Sequence, residues 1–333
     1  MNDKPVLGII LGDHAGSSPE LAAMTALAND GSYTPVFIGN RERFEMSRSV
    51  VKGAEKLSIL PLEGRPAFAG AQTVYFSDVP AGKDILYSHV TADSGKLIYD
   101  SIARAIELQK EGTIDGICMA PITKEALFTA GYKEDCTEFD VFMHLYGVQK
   151  VRAAICGGGI FRCTVVGHCA LSEIPSRLTT QGIIDTAESL LGVMRKFMPP
   201  EACKIAVAAL NPHAGEHGLY GDEEITKIQP AIDVLRERGY DVIGPSPADT
   251  VFLKALNKQV AGVVFMYHDQ GNIAMKSVFF GDGVLIYTNL PAHIVSVGHG
   301  PAYGKAGKGT ADPKNMISAM NMLLRIVEHD RGR

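Results

Sequence analysis

The sequence contains no long hydrophobic run. Its apolar stretches have the length of single strands, and none approaches the roughly 18 residues that a membrane-spanning helix needs. The segment from Met1 to Pro5 leads directly into one of these stretches, without the hydrophobic core of a signal peptide. We therefore expect a cytoplasmic protein that makes no contact with a membrane.

The sequence also has no cluster of lysine and arginine residues. It carries 32 basic and 37 acidic side chains, which gives a formal net charge of -5. Because nucleic-acid phosphates bind to basic surfaces, this balance argues against a nucleic-acid partner. The charge favours small-molecule ligands instead.

Cysteine pairs of the Cys-x-x-Cys type are absent. The six cysteines lie mostly in apolar, strand-like contexts, as reduced buried cysteines do, and we predict no disulfide bond. They are Cys118, Cys136, Cys156, Cys163, Cys169 and Cys203. Internal repeats and Gly/Ser linkers are absent as well, so domains in this chain are expected to be joined by short connections.

What the sequence does contain is enough apolar material for two cores. Hydrophobic residues make up 46% of the 333 and charged residues 21%, which is typical of a globular protein. A chain of this length suits two domains of roughly 150 residues each. Short apolar runs alternate with amphipathic segments, which predicts an α/β fold.

The predicted strands and helices are bounded by turn residues and helix-capping residues. Strands are predicted at 6–11, 34–38, 57–60, 116–120, 151–156, 163–166, 204–210, 241–243, 260–266 and 284–287, the last of these being the final strand. Helices are predicted at 20–27, after 40, and at 95–109, 124–129, 138–146, 180–197, 223–238, 251–256 and 313–327.

Three of the ten histidines directly follow predicted strands. His168, His213 and His268 each stand where an apolar run gives way to a loop. Ligands bind at the carboxyl ends of strands in open α/β sheets, because the loops converge there. Three neutral imidazoles from separate strand ends predict a divalent-metal site with one coordination position left open.

A structural interpretation of these histidines competes with the metal site. A histidine at a strand end can simply bond a loop carbonyl, since imidazole pairs easily near neutral pH. However, each of the three is followed by small, polar or acidic residues instead of core residues. We therefore favour the metal site.

Other loops carry candidate binding groups that also have structural explanations. The turn from Gly12 to Glu20 can hold an anion at a helix start, although it lacks the Gly-x-Gly-x-x-Gly pattern, and its Ser18 fits a helix cap. Thr123 and Thr137 fit caps too, and a hydroxyl in that position can also hold a carboxylate or phosphate. Asp249 is explained equally well as a cap or as an active-site carboxylate.

The glycine-rich loop, residues 296–313, is too rich in glycine to be core. Its glycines allow backbone amides to approach a phosphate or an adenosine closely. We predict that this segment binds a ligand.

Five blocks occur in a fixed order along nearly the whole chain. They are Gly12-Asp13-x-Ala15-Gly16-x-x-Pro19-Glu20, Ala120-Pro121-Ile122-x-Lys124, Asn211-Pro212-His213-Ala214-Gly215-Glu216, Pro247-Ala248-Asp249-Thr250 and Tyr267-His268-Asp269-Gln270-Gly271. Together they resemble the 4-hydroxythreonine-4-phosphate dehydrogenase family of the pyridoxal phosphate biosynthesis type, of which this chain looks like a divergent member.

The resemblance implies a three-layer α/β/α two-domain fold of the isocitrate and isopropylmalate dehydrogenase type. It places residues 1–138 and 299–333 in the first domain and residues 139–298, with the metal-ligand histidines, in the second, with the active site in the cleft. It also implies a homodimer that shares its metal site between subunits. The expected cofactors are NAD, or NADP, and one zinc, magnesium, manganese or cobalt ion per site.

The resemblance also assigns site residues by their match to the family's motifs. The metal ligands are His168, His213 and His268. The catalytic candidates are Lys276, Asp249 and Asp269, and the substrate-binding positions are Cys136, Thr137, Leu285 and Ile294. The dinucleotide-binding candidates are His299, Gly300, Ala302, Gly307 and Gly309.

The implied reaction is the NAD-dependent oxidation of a secondary alcohol, followed by decarboxylation. A divalent cation that binds a substrate hydroxyl makes the alcohol more acidic, so that hydride can leave for NAD, and it stabilises the enolate formed when carbon dioxide is lost. Lys276 is a candidate for moving the proton if the cation and burial lower its pKa.

Three departures from the family concern substrate binding. Cys136, Leu285 and Ile294 replace a histidine, an asparagine and an arginine of the family. The loss of these polar groups predicts a hydroxy acid or cis-dihydrodiol carboxylate with a less charged tail as substrate, unless His14 or His293 supplies a replacement cation.

Two other classes of protein stay open: a metal-dependent hydrolase with Glu216 as base, and a non-catalytic ligand-binding protein.

Overall fold

The computed structural model describes residues 4–332, which form two compact units. Unit 1 comprises residues 4–151 and 289–332, and unit 2 comprises residues 152–288. The unit boundaries lie 13 residues after position 138 and 10 residues before position 299, where the predicted domains divide. Residues 1–3 lie outside the described range, and with them part of the segment on which the signal-peptide prediction rests.

The first part of unit 1 alternates strands and helices as predicted. It contains β1 (Val6–Ile10), α1 (Ser18–Leu27), β2 (Thr34–Gly39), α2 (Arg41–Arg48), β3 (Ser58–Pro61), β4 (Thr73–Asp78), α3 (Ala92–Lys110), β5 (Gly116–Met119), α4 (Lys124–Thr129) and α5 (Glu138–Tyr146). The sequence analysis missed β4.

Unit 2 follows with a mixed set of strands. It contains β6 (Arg152–Gly157), β7 (Ile160–Val166), α6 (Ile174–Arg177), α7 (Thr180–Met194), β8 (Ile205–Ala208), a π-helical turn (Glu224–Ile228), α8 (Gln229–Glu237), β9 (Val242–Ser246), α9 (Ala248–Leu256), β10 (Gly262–Tyr267), α10 (His268–Val278) and β11 (Val284–Thr288). Short 3₁₀ turns lie at Leu171–Glu173 and Pro200–Ala202 in this unit, and at Ala54–Lys56 and Tyr303–Lys305 in unit 1.

The chain then returns to unit 1 with β12 (Ile294–Val297) and α11 (Lys314–Arg331). The expectation that the strand at 284–287 is the last one was therefore wrong. β12 is four residues long, and the sequence analysis placed its second half in the glycine-rich loop, which was taken to begin at residue 296.

The strands of unit 1 are all parallel and lie in the order β3-β4-β2-β1-β5-β12. β1 is buried at every position, as expected for a parallel strand covered on both faces. A capping box between Thr91 and Ser94 begins α3. The loops after β1, β5 and β12 follow neighbouring strands and therefore emerge together.

The strands of unit 2 lie in the order β11-β6-β7-β10-β8-β9. β6 pairs antiparallel with β11 and β7, whereas β7, β10, β8 and β9 run parallel. Val251, Phe265 and Met275 belong to its apolar core. The predicted α/β class is confirmed, and no helix among residues 4–332 has the length and apolar character needed to span a membrane.

Candidate active site

Two of the predicted metal ligands meet at the carboxyl ends of neighbouring strands. β7 and β10 run parallel with Val166 aligned to Tyr267, so the residues that follow both strands emerge at the same edge. His168 and His268 stand there, with their ring centroids 4.7 Å apart and their planes at 44°. His168 is exposed and His268 is partly exposed. One small, solvent-facing region of unit 2 thus contains two imidazoles.

The His268 ring is oriented by its neighbour in the chain. Its Nδ1 lies 2.7 Å from Oδ1 of Asp269, in the first turn of α10. A carboxylate that accepts the Nδ1–H bond leaves Nε2 as the nitrogen with a free lone pair. Asp269 therefore fits the role of orienting partner for a ligand histidine.

His213 lies after β8, the strand next to β10 on the side away from β7. It is exposed and begins the left-handed turn, residues His213–His217, in which every residue has a positive φ between 41° and 77°. Glu216, the base in the hydrolase hypothesis, is exposed in the same turn. Positive φ is rare outside glycine, so this loop has an unusual backbone at a predicted ligand position.

The base of the left-handed turn is held by a buried carboxylate. Glu224 accepts hydrogen bonds from the backbone amides of Leu210 and Asn211, both at 2.8 Å, and from the Asn211 side chain at 2.9 Å. The sequence analysis assigned no role to Glu224. Its sequence signal was the acidic run Asp222-Glu223-Glu224, a few residues after His217.

The pair of histidines does not extend to a third ligand in the structure. Within the described range, 4–332, no three His, Cys, Asp or Glu side chains lie close enough together to hold a metal ion. His213 therefore lies outside the pair formed by His168 and His268. Imidazole nitrogens suit zinc and similar divalent ions, so the donor chemistry of the pair fits such an ion. The three-histidine ligand set stays a prediction.

The other catalytic candidates of unit 2 are exposed. Asp249 lies within α9, which begins at Ala248, and the cap position is Pro247 without a side-chain bond. Its interpretation as a helix cap was wrong, and its carboxylate faces solvent. Lys276 lies eight residues after His268 in α10, about 12 Å along a helix that rises about 1.5 Å per residue. The structure does not bring it beside His268.

Thr137 in unit 1 has the structural role that its sequence predicted. It begins α5 with a capping box, in which its side chain accepts from the amide of Asp140 and donates to that residue's carboxylate. Cys136 is half-buried beside it. Nearby, Lys124 pairs with Glu138 at 3.5 Å. Thr123 takes the cap position of α4 but makes no side-chain cap bond.

The two apolar substitutions at substrate-binding positions lie in strands. Leu285 is half-buried in β11 of unit 2, paired with Ile155. Ile294 is 1% exposed in β12 of unit 1, paired with Ile117. Neither position presents a hydrogen-bonding side chain.

The first loop of unit 1, residues 11–17, bonds to its neighbours instead of leaving its amides open. The amide of Asp13 donates to the carbonyl of Pro121 at 3.0 Å, and the amide of Ser17 donates to the carbonyl of Pro301 at 2.8 Å. Ser18 is the first residue of α1 and not its cap, and its hydroxyl donates to Pro121 as well. The turn therefore connects three loops, and nothing in it favours the anion-binding interpretation.

The two candidate replacements for the lost arginine, His14 and His293, do not act as free cations. His14 is 3% exposed, and burial lowers its pKa to about 4, so that it is neutral near pH 7. Its Nδ1 bonds the carbonyl of Gly12 and its Nε2 accepts from the amide of Asn40. His293 lies 3.0 Å from the carboxylate of Asp330.

The glycine-rich loop carries the five dinucleotide-binding candidates. His299, Gly300 and Ala302 lie exposed in its first half, and Ala302 has a left-handed backbone. The amides of Gly307 and Gly309 donate to the carboxylate of Glu20, at 2.6 and 2.8 Å. The sequence analysis did not foresee this use of the two amides.

Comparison with known proteins identifies relatives that share this sequence and fold. A 4-hydroxythreonine-4-phosphate dehydrogenase of Desulforapulum autotrophicum is 35% identical over 329 residues, covering 96% of this chain and 95% of that protein. A D-threonate 4-phosphate dehydrogenase of Cupriavidus necator is 34% identical, covering 95% of each. The crystal structure of a 4-hydroxythreonine-4-phosphate dehydrogenase from Burkholderia phymatum superimposes with a TM-score of 0.80 at 33% identity, over 98% of this chain and 99% of that one.

The α/β fold and these relatives define the class as dehydrogenases, which are oxidoreductases that act on a CH–OH group. The family model described as pyridoxal phosphate biosynthetic protein PdxA matches residues 32–323. The chain belongs to this family, as its five sequence blocks predicted.

Proposed function

We propose that this dehydrogenase uses NAD to oxidise the secondary alcohol of a small hydroxy acid at a divalent-metal site in unit 2, and that decarboxylation follows. The observation that carries the proposal is the His168–His268 pair at adjacent strand ends, in a chain that belongs to the PdxA family. Relatives at 34% and 35% identity bear the names of dehydrogenases for phosphorylated hydroxy acids.

We propose that His168, His268 and His213 hold the cation. A bound divalent cation supplies Lewis acidity, which makes a substrate alcohol more acidic and stabilises negative charge that develops on its oxygen. The Asp269 carboxylate orients His268 through Nδ1, and Glu224 fixes the end of β8 from which His213 projects. Both acids therefore act on the geometry of the histidines.

The position of Lys276 supports sharing of the site between two subunits. It lies about 12 Å along α10 from His268, so a second chain could place its own Lys276 closer to a substrate bound at these histidines. Unit 2 also exposes large apolar side chains that a partner subunit would cover. They include Leu171, Leu219, Ile273 and Phe280. We therefore propose a homodimer.

For the substrate, we propose a hydroxy acid or cis-diol carboxylate whose tail carries less charge than a phosphate ester. Leu285 and Ile294 offer no hydrogen bonds, whereas a buried charge-assisted bond is worth about 1.5 to 3 kcal/mol. His14 is neutral and does not replace the missing cation. A phosphate dianion should consequently bind roughly 10- to 100-fold more weakly than in a site that has these bonds.

The test of the function is a turnover assay with the full chain, NAD or NADP, and manganese or zinc. A panel of hydroxy acids is followed by the absorbance of reduced nicotinamide and by release of carbon dioxide. The expected result is reduction that requires both dinucleotide and metal. Metal-dependent turnover without dinucleotide would establish the hydrolase instead, and ligand binding without turnover would establish a non-catalytic protein.

A further inference from the structure

Glu20 connects the beginning of the chain to its glycine-rich loop. It lies in the first turn of α1 and is fully buried. Its two carboxylate oxygens each accept one backbone hydrogen bond, from Gly307 at 2.6 Å and from Gly309 at 2.8 Å. One side chain thus fixes two points of a segment nearly 290 residues away in sequence.

We propose that Glu20 is a positioning residue for the dinucleotide. It holds the glycine-rich loop in the conformation that binds NAD, and the amides of Gly307 and Gly309 serve this contact instead of the phosphates of the cofactor. The inference rests on the proposed function, in which this loop binds the dinucleotide. It reassigns two of the five residues that the family resemblance gives to the cofactor.

The first support is the chemistry of the buried carboxylate. A buried carboxylate needs hydrogen-bond donors, and here the two loop amides supply them. Burial raises the pKa of Glu20, while the bonds from Gly307 and Gly309 act in the opposite direction. The carboxylate and the loop therefore stabilise each other. If the loop moved away, the carboxylate would lose both of its donors and the two loop amides would lose their acceptor.

The second support is that other bonds fasten the same loop to the same part of unit 1. The hydroxyl of Tyr303 donates to Asp13 at 2.8 Å. The carbonyl of Pro301 accepts from both the amide and the hydroxyl of Ser17, at 2.8 and 2.9 Å. Ser88 donates its hydroxyl to the carbonyl of Tyr303 at 2.7 Å. Glu20 is thus the last of a series of contacts that runs along the loop.

The third support is that the structure explains why positions 307 and 309 require glycine. Both have left-handed φ values, +73° at Gly307 and +62° at Gly309. A Cβ at Gly309 would collide with the backbone carbonyl of Val50, and one at Gly307 would come within 3.1 Å of the Tyr87 ring. Packing of the loop against its own unit therefore requires glycine at both positions, without reference to a cofactor.

The test compares Glu20→Gln with Glu42→Gln, an exposed glutamate in the first turn of the next helix. The glutamine keeps the size of the side chain, but its NH₂ group faces a loop amide that is also a donor. We expect the KM for NAD and its dissociation constant to rise about tenfold, with kcat and the KM for the hydroxy acid changed less than about twofold. Glu42→Gln should match the wild type.

A second measurement separates positioning from direct contact with the cofactor. In the absence of NAD, hydrogen exchange at the amides of residues 298–313 should be at least about tenfold faster in Glu20→Gln than in the wild type. Unchanged exchange would overturn the proposal, whatever the effect on NAD. Faster exchange with unchanged NAD affinity would also overturn it, because the loop would then not serve the dinucleotide.

Tyr303→Phe keeps the proposal testable if Glu20→Gln does not fold. It removes the hydroxyl that donates to Asp13 and should raise exchange in the loop and the NAD dissociation constant by a smaller factor, about threefold. No change in either quantity would count against the positioning role. Failure of the proposed function is distinguishable, because the wild-type protein would then show no dinucleotide-dependent turnover at all.

Discussion

The rings of His168 and His268 lie 4.7 Å apart because β7 and β10 are neighbours in the sheet of unit 2, although the two residues are far apart in the chain. β8, which precedes His213, is the neighbour of β10 on its other side. Three adjacent parallel strands thus each lead to one histidine at the same sheet edge. This relationship allows the metal prediction to be tested one ligand at a time.

His213→Ala should weaken divalent-cation binding by more than about tenfold, since even groups that only orient metal ligands are worth 10- to 100-fold. The matched control is His217→Ala. His217 is an exposed histidine in the same left-handed turn, so its replacement by alanine changes the energetic cost of the left-handed backbone to the same extent. Metal content is measured by elemental analysis after dialysis. Equal metal content in both variants and the wild type would show that His213 is not a ligand.

Dilution should lower the specific activity if two subunits share the site. Assembly follows mass action, so activity per chain should fall as the concentration drops below the dissociation constant of the dimer. Light scattering gives the mass at each concentration. A fully active monomer would refute the shared site.

The ratio of kcat/KM for 4-hydroxythreonine 4-phosphate to that for a non-phosphorylated hydroxy acid should be below one at saturating NAD and metal. Leu285→Asn, which restores one polar group, should raise this ratio by roughly 3- to 10-fold, about one neutral hydrogen bond. Leu253, an exposed leucine of unit 2, provides Leu253→Asn as the control. A wild-type ratio well above one would eliminate the proposed substrate class.

Acid should destabilise the protein through His14. Its pKa in the folded chain is about 4, whereas an unfolded chain has the ordinary value of 6.5, so only the unfolded chain takes up this proton between those two values. The free energy of unfolding should therefore fall as the pH decreases from 6.5 to 4, by up to about 3 kcal/mol.

His14→Gln should remove this contribution. Between pH 4 and 6.5, the number of protons taken up on unfolding should then fall by up to one, which flattens the pH dependence of the free energy of unfolding. His89→Gln changes an exposed histidine of the same unit and should keep the wild-type slope. The measurement is the midpoint of chemical denaturation at several pH values. Equal slopes for His14→Gln and the wild type would mean that His14 is not held neutral by burial.

Two helical glycines should respond in opposite directions to the same substitution. A Cβ at Gly95 in α3 would collide with the carbonyl of Ala126, so Gly95→Ala should destabilise the protein by about 1 to 3 kcal/mol. Gly192, an exposed glycine in α7, has nothing within 4 Å of that position, and Gly192→Ala should stabilise by about 0.5 to 1 kcal/mol. Denaturation midpoints decide the signs; a stabilising Gly95→Ala would contradict the α3–α4 packing.

The sequence was sufficient for most of the strands and helices and for the positions of the three histidines relative to strands. It missed α10, because His268 was expected to begin a loop and instead begins a helix of 11 residues. Periodicity and turn residues are local properties, and the chain follows them. β4 and β12 were missed, since β4 begins and ends with polar residues and β12 overlaps the segment that was assigned to the glycine-rich loop. The order in which β7, β10 and β8 lie side by side depends on long-range packing, which no local pattern contains.

The contacts of Glu20 and Glu224 could not be predicted from the sequence for the same reason. In the sequence each is an acidic residue near a turn, and its burial becomes visible only when distant backbone amides are placed against it. Asp249 shows the opposite error. Its residue type and position fit a helix cap. However, α9 already begins at Ala248, one residue before Asp249, and the carboxylate lies in solvent.

The left-handed turn has a consequence for how the protein can change through mutation. Four of its five residues are not glycine, and a left-handed backbone costs a non-glycine residue about 1 to 2 kcal/mol. Glycine at positions 213, 216 and 217 would relieve that cost but would remove two imidazoles and a carboxylate. Random substitution combined with selection for thermal stability alone should therefore enrich glycine in this turn and yield robust but inactive variants, whereas selection for turnover should keep His213 and accept the less stable backbone.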